Sequence, residues 1–219
     1  MASSALSHPA RRFADLVALS ERRLGDAFGG RIARLYGWGI AVSYSIALVV
    51  MKSRAEAIVS QSLVALAWIP AGLVALGAAR DQTHLDDENG FVALAEQRGF
   101  DAQSLELARL IAAARRIARV TGWPALALVL VNASLARGTE ALLRSVISAL
   151  GAGVFVLCVS VLLAALARAS AVVSSGRGRL TFAAAIFVPH LAHALLPWMP
   201  SVPRMLGQLL RIFFAGENG

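Results

Sequence analysis

Long uncharged runs alternate along the chain with short arginine-rich clusters. Between Arg34 and Lys52 lie 17 uncharged residues, and between Glu56 and Arg80 lie 23, where about 17 to 25 are needed for a helix to cross the hydrocarbon of a bilayer. Three further uncharged stretches, 120–136, 145–167 and 180–203, are each flanked by arginines, which resist burial in lipid. The pattern predicts spans at 35–51, 57–79, 120–136, 145–167 and 180–202. The last apolar stretch, 205–215, is interrupted by Arg211 and is too short to cross, so residues 204–219 read as an interfacial tail. The fold class is all-α, a polytopic membrane helix bundle of about five transmembrane helices in residues 37–203.

Two segments outside the spans carry helical periodicity of their own. Over 11–35 the apolar residues Phe13, Leu16, Val17, Leu24, Phe28, Ile32 and Leu35 recur at helical spacing, with Arg12, Asp15, Arg22, Arg23 and Asp26 largely opposite. Residues 1–36 therefore read as a terminal segment with an amphipathic surface helix, which suits a membrane anchor or a contact surface for a partner. The segment 80–119 is longer than a connection requires. Asp86, Asp87 and Glu88 precede a short stretch, 91–98, in which Phe91, Leu94 and Ala95 share one face; acidic residues suit the partially positive start of a helix. Gly99 ends that helix and Asp101 caps the next. There Leu107, Leu110, Ile111, Ala114, Ile117 and Ala118 form an apolar stripe opposite Arg109 and Arg116, running without a break into the third span.

Composition and charge sharpen this picture. The chain has 219 residues, is 58% hydrophobic and only 16% charged, with a mean hydropathy of +0.66, which is too apolar for an ordinary water-soluble domain. The net charge of +8 does not mark a nucleic-acid binder, because the basic residues sit between apolar runs and form no continuous patch. Counted by connection, alternate sides of the membrane carry 15 and 6 Lys and Arg residues. The positive-inside rule then puts the N-terminus in the cytoplasm and, after five crossings, the C-terminus outside. In a bacterial cell the membrane is the inner one, since outer-membrane proteins cross as barrels. The N-terminal apolar positions are interrupted by charges, so no cleavable signal peptide is read.

The candidate chemistry is sparse. No Asp, Glu, Lys or Arg lies inside the five stretches, which removes a buried carboxylate relay for proton- or sodium-driven transport. The single cysteine, Cys158, lies in an apolar run and supports neither a disulfide nor a cysteine-rich metal site. His190 and His193 share a helix face at a spacing of three, half of a metal site with nothing in sequence to complete it. Pro70, Pro124 and Pro189 sit in or at the edges of spans, and Gly151 and Gly153 permit close helix packing. Tyr36, Trp38, Trp123 and Trp198 fall near span ends. Nucleotide-binding, nucleophile-elbow and zinc-protease motifs are missing, so no catalytic residue and no cofactor is assigned.

The arrangement resembles the permease subunits of type-two ABC exporters, including the nitrous-oxide-reductase maturation permeases. The residues that carry the resemblance are Asp86-Asp87-Glu88-Asn89-Gly90-Phe91-Val92-Ala93-Leu94, where that family has an acidic, glycine-containing coupling segment. The second match is Leu166-Ala167-Arg168-Ala169-Ser170-Ala171-Val172-Val173, similar to its short turn after the fourth span. The chain departs from the family after the coupling leucine, at Glu96-Gln97-Arg98-Gly99-Phe100, and has no sixth span. The resemblance implies a coupling site made by Asp87, Glu88, Gly90, Phe91, Leu94 and Arg98, with Phe91 and Leu94 inserted into a groove of a cytoplasmic ATP-binding subunit. It also implies a second permease chain as partner, with membrane lipid around both and ATP hydrolysed by the partner. The reading from another class is a non-transporting membrane scaffold of a larger complex; an intramembrane metalloenzyme using His190 and His193 ranks third.

Overall fold

The computed structural model describes residues 7–25, 30–51, 55–80, 90–174, 176–196, 198 and 201–214. Among these the secondary structure is eight α-helices and no strand: α1 (Ser7–Gly25), α2 (Gly30–Val50), α3 (Ala55–Ala78), α4 (Phe91–Gln97), α5 (Ala102–Leu135), α6 (Thr139–Val173), α7 (Gly178–Leu195) and α8 (Val202–Phe214). Four of them, α2, α3, α5 and α6, are long and apolar enough to cross a bilayer. The protein is a multi-pass, all-α membrane helix bundle.

Alanine and glycine hold the bundle close. Ala33, Ala41, Ala71, Ala75, Ala108, Ala112 and Ala113 are all buried, with the larger Leu48, Leu63, Leu66, Ile117 and Leu128 filling between them. Small residues let backbones approach, which drives helix association where lipid leaves no hydrophobic gain between helices. Gly37 of α2 lies over the two proline positions of its neighbours: a Cβ there would stand 3.1 Å from the Val120 carbonyl oxygen, 3.3 Å from Pro124 and 3.9 Å from Pro70. Both prolines remain inside unbroken helices.

Three expectations need correction. The surface helix expected over 11–35 is shared between two elements. α1 is described to Gly25 and α2 from Gly30, with 26–29 outside the described residues. Ile32 and Leu35 thus belong to the first span. The fifth span, expected over 180–202, is shorter. α7 ends at Leu195 because Leu196 precedes Pro197 and takes an extended backbone, φ −127° and ψ 88°. At 18 residues α7 is about 27 Å long, just under a hydrocarbon thickness of about 30 Å. The turn expected at 166–173 is helical, since α6 continues through Arg168 to Val173; the chain turns at Gly176, whose φ of 76° suits a glycine.

The central element is the α5–α6 hairpin, the most extensive helix contact in the bundle. At 34 and 35 residues the two helices are each about 50 Å long, so about 20 Å of the hairpin stands clear of the hydrocarbon. On α5 that part lies within the charged half, 102–119. α3 and α2 pack against the same hairpin, α7 against α6, and α1 against α5. α8 rests on α3 and α6, with Leu206 and Leu210 buried, so the described part of the interfacial tail is docked on protein.

Candidate functional site

The features that can recognise another molecule gather at the basic end of the bundle, where α1, α4, the first half of α5 and the last turns of α6 meet. α5 begins as its sequence requires: Asp101 accepts a hydrogen bond from the Ser104 amide at 2.8 Å. The Ser104 side chain and then this amide lower the Asp101 carboxyl below its ordinary value, and the bond satisfies one of the free amides of the first turn. One turn further on, Glu106 turns its carboxylate toward α6. Arg168 clasps it with Nε–Oε2 at 3.2 Å, Nη2–Oε1 at 3.0 Å and Nη2–Oε2 at 2.7 Å, and Arg109 of α5 also donates to it.

This charged cluster is protected from water on its basic side. The Arg109 and Arg168 side chains are 4% and 8% exposed, and that of Glu106 is 37%. Burial pushes the Glu106 carboxyl up, but the charges and hydrogen bonds of Arg168 and Arg109 outweigh it and hold the group below its ordinary value. The trio leaves one positive charge in excess at a closely packed helix contact. Arg109 had been placed by periodicity on the polar face; it is buried instead, and Leu107 of the expected apolar stripe is exposed. The carboxylate one turn away and its α6 partner rotate the buried face of α5 toward the arginines.

α1 is fastened to the same half of α5. Glu21 pairs with Arg119, with Nη2–Oε2 at 3.1 Å, and its carbonyl accepts from Arg116 at 3.5 Å. Leu16 and Val17 are buried beneath it. The amphipathic helix therefore covers protein with its apolar face.

Between α1 and α4 opens a groove of about 710 Å³, within the usual size of ligand sites. Leu16, Phe91 and Ala95, all buried, form its floor, and Leu19 and Leu94, 40% and 44% exposed, stand at its rim. Arg12, Arg22 and Arg98 line it as well, and among the described residues Asp15 is the one carboxylate beside them. Among the described residues no ion pair engages these three guanidiniums.

The expected coupling residues fall as follows. Gly90 stands at the head of α4 with φ 64°, a left-handed conformation for which glycine is suited. Phe91 is buried, so it supports the helix from below, and the insertion role expected of it does not fit this geometry. Leu94 and Arg98 are exposed and line the groove. Asp86, Asp87 and Glu88 lie outside the described residues. The part played by α1 in this site had only its amphipathic pattern as a signal, and the Glu106–Arg168 clasp had none.

His190 packs its ring on Trp68 of α3, centroids 5.5 Å apart, with Nδ1 buried and without a hydrogen-bond partner among the described residues. No group of three or more His, Cys, Asp or Glu side chains comes together among the described residues. Comparison with protein families, with curated proteins and with solved structures finds no match.

Proposed function

We propose that this protein is the membrane-spanning, permease-like subunit of an ATP-driven complex, docked on its basic face by a separate cytoplasmic ATPase. The observation that carries the reading is the placement of α4. This short helix is joined through the 98–101 turn to α5, which continues unbroken into the membrane. A push on α4 is therefore delivered to a rigid rod about 50 Å long that is clasped to α6 by Arg168 and Glu106. The positive-inside rule assigns this face to the cytoplasm, with the C-terminus on the far side if α7 crosses, and crossing by helices rather than a barrel assigns the protein to the cell inner membrane.

Any substrate path belongs between two chains. Within the bundle, the buried hydroxyls of Ser62, Thr121, Ser145 and Ser160 each donate to a carbonyl of their own helix, and buried alanines hold the helices close. The same close packing favours the second reading, a scaffold subunit that anchors a larger assembly without moving a substrate.

Purification of the complex in mild detergent separates the two. The permease reading expects a stoichiometric ATP-binding chain, ATPase activity, and loss of both on Leu94→Asp. Recovery with membrane proteins alone, and no ATPase, turns the assignment to the scaffold.

A further inference from the structure

The geometry points to the α1–α4 groove as the acceptor for an acidic, amphipathic segment of the cytoplasmic partner, with glutamates or aspartates facing Arg12, Arg22 and Arg98 and an apolar side chain entering between Leu19 and Leu94. This deepens the proposed function and rests on its premise that the basic end of the bundle docks a protein.

Three facts converge on that chemistry. The groove joins an apolar floor to a cationic rim, so its ligand needs both characters. Its guanidiniums are exposed and free of ion pairs among the described residues, and arginine presents a planar fork that matches carboxylates in pairs. The groove also extends away from the lipid: Arg22 adjoins Glu21, the partner of Arg119 at the edge of the uncharged run, and the groove reaches from there to Arg98. Arg98 and Phe100 adjoin the start of α5 at Asp101, and the uncharged part of α5 begins only at Val120, about 27 Å further along the helix axis. A lipid headgroup would have to leave the bilayer surface to reach that end, whereas a cytoplasmic helix meets it directly.

The test uses the full-length protein in nanodiscs of zwitterionic lipid. The probes are a labelled helical peptide with Glu and Leu on adjoining faces and its Lys-for-Glu counterpart. The expected result is saturable binding of the Glu peptide that weakens with salt, and no binding of the Lys peptide. Combined Arg12→Glu, Arg22→Glu and Arg98→Glu substitution, at exposed positions that leave the fold intact, should weaken the Glu peptide about tenfold or more and admit the Lys peptide. Equal binding of both peptides, or binding that ignores the three substitutions, overturns the proposal. So does a Glu peptide that fails to bind while anionic lipid added to the nanodiscs binds in an arginine-dependent way, which would make the groove a lipid site. The two readings fail separately. An ATPase that co-purifies equally with the triple variant removes the groove and keeps the proposed function; charge-reversible peptide binding with no ATPase in the native complex does the opposite.

Discussion

Glu106 and Arg168 stand at matching positions on the two arms of the central hairpin: Glu106 is 29 residues before the end of α5 at Leu135, and Arg168 is 29 residues after the start of α6 at Thr139. Their clasp closes the hairpin at the end away from its turn, about 44 Å along the helix axes. Near the middle, a Cβ on Gly122 would lie 3.8 Å from Val156, so the two arms stay in contact along their length. The clasp sets the apolar second half of α6 level with the basic half of α5. There Leu157, Val161 and Leu162 remain exposed, on a face suited to a second chain.

Breaking the clasp should loosen the hairpin. Arg168→Ala leaves Glu106 with only Arg109, and Glu106→Gln takes the charged carboxylate away from two buried guanidiniums. Removing one member of a fully buried pair costs about 3–5 kcal/mol. Because Glu106 keeps 37% of its side-chain surface, a loss of about 1–3 kcal/mol is expected for each. Thermal unfolding in detergent measures it, and the double variant Glu106→Leu/Arg168→Leu should recover part of the loss.

The same contact predicts acid sensitivity. Glu106 has a folded-state pKa below the ordinary value of 4.5, so its contribution is fully present above that value and disappears as the pH falls through the lower folded one. Melting temperatures recorded from pH ~7 to ~3 should show a decline below the ordinary carboxylate range that is shallower in Glu106→Gln. An identical decline in the variant would assign the acid sensitivity to other carboxylates.

Gly178 is where α7 starts against both of its neighbours. A Cβ there meets the Ala79 carbonyl oxygen and the Ala171 backbone, and backbone cannot step aside as a side-chain tip can. Gly178→Val should destabilise the protein by about 1–3 kcal/mol through overpacking. Gly153→Ala, with nothing within 4 Å, should be tolerated and serves as the control.

Membrane sidedness can be read with single cysteines placed in a background lacking Cys158. Labels at Arg98→Cys and Arg137→Cys should react from opposite faces of intact membranes, and Trp198→Cys should react with Arg137→Cys. Reaction of the position-198 label from the Arg98 side would mean that α7 enters and returns, leaving four crossings.

The chain by itself determined the helical class, the four helices of membrane length and the start of α5. Runs between arginines limit where a helix can lie in lipid, and the Asp101 cap and Gly99 stop are local chemistry that needs no distant partner. The halves of the helical stripe were less secure. Periodicity put Arg109 on the outside because a lone arginine is costly to bury; its contact with Glu106, a carboxylate held by Arg168 from 62 residues away, offsets that cost. The floor of the groove was legible as Leu16 and Phe91 on separate amphipathic segments. That these segments face one another, and that Phe91 is thereby covered while Leu94 stays open, was decided by the docking of α1 on α5 through Glu21 and Arg119. Such pairings depend on which of many chemically equivalent arginines reaches which carboxylate across the bundle, and that is a property of packing distance and helix register rather than of residue order.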